Sequence, residues 1–290
     1  MAIDKDPVGD FSDKFGDELQ SLPENVARIL ATLDDPNSSA HDVEEALATD
    51  PSMSAKVLAL VNSAYFGFSS EVGTLARAVP LLGFKTVRQI ALATSLLNLA
   101  PSIETENGFS VVENNYHAAT SGVLAKLVAR HAPRGGYPGE AFTGGLLHDI
   151  GKNVLATHLP EGFDKVERRI LDDGVDWAVA EQKELHDTHA NVGAQLLRRW
   201  LFPKNIVEAT DFHHRLKDAT APVASAVHLA DAICNSKGVT CGLHAGKGKL
   251  AYDNAALTTL GLGKEQLDLV LSEVDGELER AAPFLHLLRD

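Results

Sequence analysis

Cysteine is scarce in this chain: Cys234 and Cys241 are the only two in 290 residues. That is too few for a disulfide framework, and their spacing lacks the paired form of a zinc knuckle. Two reduced thiols are expected, with Cys234 in the core. Positive charge is also in short supply. The formal net charge of −14 speaks against a phosphate-backbone binder, because nucleic-acid footprints are basic patches or stripes. The amino terminus, "MAIDKDPVGD", is polar and acidic and has no apolar core of a secretory signal. Apolar runs fall short of the roughly 20 residues that a bilayer helix needs. These absences predict a cytoplasmic protein that engages neither nucleic acid nor membrane. A chain of this length buries a substantial core, so stability alone requires neither metal nor disulfides.

Runs of alternating Val, Ile and Thr that would announce strands are missing as well, whereas apolar residues recur at helical spacing almost throughout. The fold is expected to be all-α. Pro23, followed by Val26, Ile29, Leu30 and Leu33, signals a first helix that stops near Pro36. "SSAHDVEEAL" places serine caps before acids in a first turn. "DPSMSAKVLALVNSAYFG" opens another helix, with Asp50 as cap and Met53, Val57, Leu60 and Val61 on its apolar face. "VGTLARAVPLLGFKTVRQIALATSLLNLA" reads as two helices broken around Pro80 and Gly83. "GVTCGLHAGKGKLAYDNA" reads as a loop, its "AGKGK" lacking P-loop spacing, and a helix is expected from about Lys264 to Ala282.

After "PSIETENG" the pattern changes, and ionisable residues appear on apolar stripes. His117 shares its stripe with Thr120, Leu124, Leu127 and Val128. His148 and Asp149 end an apolar helix beginning near Ala141, with Gly151 as the natural place to turn. His189 aligns with Val192, Gly193, Leu196 and Trp200; His213 follows Ile206, Ala209 and Thr210, with His214 beside it; Asp231 aligns with Val227 and Cys234. A buried carboxylate without a partner costs several kcal/mol or loses its charge. Inward histidines and aspartates on five segments call for a common partner, and a divalent metal is the simplest. Imidazole with carboxylate suits Zn, Fe, Mn, Co or Ni, as one ion or two. Lys152 is placed either to meet an anionic group or to cap a helix C-terminus. His41, His131, His158, His186, His228, His244 and His286 read as surface or structural residues, His186 and His228 being the nearest to exceptions.

The order His117, His148-Asp149, Asp231 resembles the H…HD…D pattern of the HD superfamily of metal-dependent phosphohydrolases. More narrowly, the chain resembles an HDOD domain, the HD-related output domain of bacterial signalling proteins. The residues that carry this are "LPENVARIL", "DPSMSAKVLALVNSAYFG" and "ARAVPLLGFKTVRQIAL", then "FTGGLLHDIGKNVL", "HANVGAQLLRRW" and "FHH". The resemblance implies a multi-helix HD-like bundle with an additional N-terminal helical lobe. It divides the chain into a tail at 1–17, an HDOD domain at 18–237 (helical lobe 18–104, HD-like lobe 108–237), and a glycine-rich loop with a C-terminal helical extension at 238–290.

His189 and the His213-His214 pair resemble the extra histidines of HD-GYP phosphodiesterases for cyclic di-GMP. The sequence departs from that family, however: "HHRLKDAT" has no glutamate after the histidines, and no GYP segment follows. The resemblance thus implies a regulatory module that acts by binding a signalling protein or a small phosphorylated ligand, with a metal site at His117, His148, Asp149, His189, His213, His214 and Asp231. The alternative it implies is a phosphohydrolase or phosphodiesterase acting on a nucleotide or other phosphate ester, with Asp149 and Lys152 as catalytic residues. A third reading has the metal merely staple the second lobe. The oligomeric state is left open by the sequence.

Overall fold

A computed structural model describes residues 27–29, 31–32, 35, 37–49, 51–62, 72–84, 86–87, 91, 100–135, 137–218, 222–243, 249–286 and 288–289. Of the predicted helix after Pro23, residues 27–29 and 31–32 are described and are helical; its other positions up to Leu33, the Asp50 cap, most of "NSAYFG" and of the stretch up to Ala100, the tail at 1–17 and most of "AGKGK" lie outside the described residues. Among the described residues the regular structure is helical, as expected, with thirteen α-helices and no named strand.

The N-terminal helices are α1 (Ala40–Ala48), α2 (Pro51–Asn62) and α3 (Leu75–Leu82). The serine and acid signals before α1 act as a capping box: Ser39 accepts from Asp42 N–H while Asp42 reaches back to the Ser39 N–H. The break expected around Pro80 and Gly83 falls at Gly83. Helix α3 starts from a Thr74 cap and runs through Pro80, ending at Gly83 with φ +80°. In so short a helix the proline removes one hydrogen bond, and the cap at Gly83, whose N–H reaches Val79 O at 2.8 Å, closes the last turn.

The second half is built on α4 (Val111–His131), buried on nearly all sides, as a helix at the centre of a bundle must be. It packs on α5 (Pro138–Leu147), on α11 (Pro222–Ser236) and on the long α13 (Lys264–His286). The α4–α5 crossing depends on paired glycines: a Cβ at Gly145 would lie 2.6 Å from Gly122 Cα. Between and around these run α6 (Ile150–His158), α7 (Pro160–Asp173), α8 (Trp177–Leu185), α9 (His189–Arg199), α10 (Lys204–Phe212) and α12 (Asn254–Leu260). Helix α13 continues four residues past the expected Ala282, through Pro283. One apolar cluster joins Val43, Val57 and Val79 to Phe109, Phe142, Leu197 and Phe284. Both halves of the chain therefore contribute to one core.

Candidate metal centre

His148 and Asp149 occupy a two-residue joint between α5 and α6. His148 still has helical angles, whereas Asp149 sits at φ −103°, ψ 9°, the sparsely populated bridge region in which many active-site residues are found. Asn114 of α4 supports the joint, donating from its amide to Asp149 O at 3.3 Å and to Asn153 Oδ1 at 2.9 Å. Gly151 does not turn the chain, contrary to what its local sequence suggests. It lies inside α6, where a Cβ would come within 1.9 Å of His189 O; its hydrogen lets α6 cross α9 closely enough to bring His189 to the joint.

The predicted site residues come together here. His117 extends from α4, His189 opens α9, His213 and His214 follow the end of α10, and Asp231 projects from α11. His117 Nε2 lies 3.6 Å from Asp149 Oδ2 and 3.1 Å from Asp231 Oδ1. His148 Nε2 lies 3.4 Å and 3.9 Å from the same two oxygens. The other oxygen, Asp149 Oδ1, faces His189 Nε2 at 3.3 Å and His213 Nε2 at 3.9 Å. His214 Nε2 is 3.2 Å from His189 Nε2. Asp149 thus stands between two sets of donors: His117, His148 and Asp231 on one side, and His189, His213 and His214 on the other.

The far sides of the rings decide what the near sides offer. The Nδ1 atoms of His117, His148 and His213 meet the carbonyls of Val239, Gly145 and Thr210 at 2.8, 2.7 and 2.8 Å. A carbonyl only accepts, so each Nδ1 carries the proton, and in the neutral ring Nε2 presents its lone pair to the centre. His189 Nδ1 donates in the same way to Glu181 Oε2 at 2.6 Å, and its backbone N–H meets the same oxygen at 2.9 Å. Glu181 is not among the residues expected from the sequence, although its place on the Trp177–Ala180–Leu185 stripe of α8 is a visible sign.

Burial pushes the His148 imidazole below its usual pKa and the His213 imidazole well below it. Burial also pulls His117 down, but the hydrogen bond and charge of Asp231 outweigh it and raise that ring. For Asp149, burial alone would raise the carboxyl; the neighbouring His148 and the Lys152 ammonium hold it well below the usual range. Lys152 is itself buried and donates to Asp149 Oδ2 at 2.6 Å. It sits in the first turn of α6, and its acceptor is a carboxylate, which removes the helix C-terminal cap as its role.

These residues fit a divalent ion. His148 Nε2 and Asp149 Oδ1 are buried without a hydrogen-bond partner, a costly arrangement unless a cation is shared there. His189 Nε2 and His213 Nε2 lie 3.4 Å apart, and two lone pairs at that distance repel without a positive charge between them. Unprotonated imidazole and ionised carboxylate are the forms that bind metal. A cavity of about 470 Å³ adjoins the centre, reaching His117, Lys152, His214 and Asp231; Ile170, Val175, Trp177 and Val179 form an apolar wall. His228 lines it too, with Nδ1 donating to His213 O at 2.7 Å and Nε2 accepting from Asp253 N–H at 2.8 Å. It is pinned from both sides and serves as a structural residue.

Residues 19–216 match the model of the HDOD domain family, a stretch that takes in every candidate ligand except Asp231. An uncharacterized protein of Treponema pallidum (strain Nichols) is 24% identical over 218 residues, 74% of this chain; the alignment spans 42% of that relative's length. The fold is shared with a candidate phosphohydrolase from Shewanella amazonensis SB2B, at TM-score 0.73 and 24% identity over 96% of this chain and 97% of the other. It is shared too with an HDOD domain protein of unknown function from Geobacter sulfurreducens, at TM-score 0.70 and 21% identity over 96% and 99% of the two chains.

Proposed function

The chain belongs to the HDOD family, and from that premise we propose that it is a cytoplasmic regulatory module of bacterial signalling whose histidine–aspartate centre holds one or two divalent ions and captures the phosphoryl group of a small ligand or of a signalling partner. The observation that carries this reading is the convergence of five imidazoles and two carboxylates, two of their atoms buried without a partner, beside a cavity. One ion would draw on His117, His148, Asp149 and Asp231, a second on Asp149, His189, His213 and His214. The mixed donor set suits Fe, Mn, Zn, Ni or Co. A divalent ion supplies Lewis acidity toward a phosphoryl oxygen. The protein's own part is orientation: Nδ1 partners fix the rings, Asn114 fixes the joint, and Lys152 keeps Asp149 ionised.

"HHRLKDAT" carries no glutamate after the histidines and no GYP segment follows; this supports binding ahead of turnover. The second reading, a metal-dependent phosphohydrolase acting on a nucleotide or other phosphate ester with Asp149 and Lys152 as catalytic residues, is favoured by one observation. His117, His214 and Asp231 line the cavity, so donors from both sets face it. Protein reconstituted with each metal decides between them. Calorimetric binding of inorganic phosphate or nucleotides without hydrolysis supports the module; rapid hydrolysis of nucleotides or cyclic dinucleotides, abolished in Asp149→Ala, replaces it with the enzyme.

A further inference from the structure

Side chains account for most of the centre, but one of its supports is a length of backbone beyond the family match. The chain leaves α11 through a turn at Gly238, φ +76°, in which Val239 N–H bonds to Cys234 O at 3.0 Å. That turn delivers the Val239 carbonyl to His117 Nδ1 at 2.8 Å. Two residues on, Ser110 N–H donates to Cys241 O at 3.0 Å. Next comes Gly242, φ +105°, where a Cβ would lie 2.0 Å from Gly108 O. The Gly108 side is tied down, since the Phe109 N–H and the Thr105 hydroxyl both donate to Glu167 Oε1, at 3.1 and 2.6 Å. Anything placed on Gly242 therefore moves the 238–243 segment and not its neighbour.

His117 differs from the other rings in this respect. His148 and His213 take their Nδ1 partners from carbonyls three residues back in their own helices, and His189 takes Glu181 from eight residues back; the partner of His117 lies 122 residues away. Thr240, Cys241 and Leu243 of the same segment line the cavity.

We propose that the segment 238–243 is a positioning strap for the metal centre: the Val239 carbonyl holds the Nδ1 proton of His117, keeping Nε2 on Asp149 and Asp231, and displacing the strap weakens the ion shared by His117, His148 and Asp231. This rests on the metal reading above and adds to it a set of residues that touch no ion. Because the strap also forms cavity wall, whatever fills the cavity acts on the same ion through it, and by linkage the ion acts on the cavity.

The test is a cobalt(II) titration of the full chain, followed by the absorption of bound cobalt and by circular dichroism, on the wild type, Gly242→Ala, Val239→Gly, His117→Ala and Gly83→Ala. Gly83 has φ +80° and open space within 4 Å of where a Cβ would stand, so its alanine variant strains the backbone without touching the strap. Partner groups of this kind are worth about 10–100-fold in metal affinity. The binding step that His117→Ala removes is expected to weaken about tenfold or more in Gly242→Ala and in the same direction in Val239→Gly, which frees the backbone without adding bulk. Gly83→Ala is expected to bind as the wild type does. Wild-type affinity at that step in a folded strap variant overturns the inference, as does equal weakening in Gly83→Ala. A wild type that takes up no cobalt overturns the metal reading itself, a separate result.

Discussion

Glu181 shows how much one uncharged-looking helix face can hide. Its Oε2 accepts both the ring and the backbone N–H of His189, which fixes the ring's tautomer and its orientation together. Glu181→Gln keeps the size but turns an acceptor into an amide; the affinity for metal is expected to fall about 10–100-fold with the helical circular dichroism unchanged, as read by competition with a chromophoric chelator. Lys126 gives a second residue-scale prediction, one of pH. Burial, with Arg130 adding to it, lowers its ammonium from 10.5 to about 8. Between about 8 and 10.5 the unfolded chain holds a proton that the folded chain has lost, so this residue's contribution to stability rises with pH across that window. The buried Cys241 thiol, raised from 9.0 to about 11, works in the opposite direction above 9. The comparison is therefore the wild type against Lys126→Met in urea melts: the difference between them is expected to shrink from pH 8 to 10.5, and a constant difference would remove the assignment.

Glycine sets the spacing of the elements. A methyl on Gly145 would meet Gly122 Cα at 2.6 Å and Gly122 N at 2.8 Å, all rigid backbone of α4, whereas one on Gly139 of the same helix α5 meets nothing within 4 Å. Gly145→Ala is expected to cost about 1–3 kcal/mol and Gly139→Ala to stabilise by roughly 0.5–1 kcal/mol; urea denaturation of the pair reads the contrast. This is also where the sequence was least legible. Helical periodicity and inward-facing His117, His189 and Asp231 could be read because spacing along one helix fixes the face. Gly151 looked like a turn because glycine carries that meaning locally. What overrode it was tertiary: the α6–α9 crossing at His189 O. Val239 could not have been found at all, since a backbone carbonyl leaves no mark on the sequence.

On the scale of the whole molecule, one apolar cluster joins the N-terminal helices to the bundle that carries the candidate centre, and among the described residues no helix is long and apolar enough to cross a membrane. Binding at the centre should then stabilise the entire fold, because every donor segment belongs to that bundle. At a hundredfold excess over Kd an ion that binds only the folded chain adds about 2.7 kcal/mol, expected as a rise in Tm that a chelator reverses and that Asp149→Ala lacks. The account stands most directly on the metal content of the purified, metal-reconstituted chain, measured by elemental analysis after removal of free ions. At least one tightly held divalent ion per chain is predicted, lost when His148 and His189 are both replaced by alanine. A folded wild type that emerges metal-free, or a double variant that retains as much metal as the wild type, would contradict it.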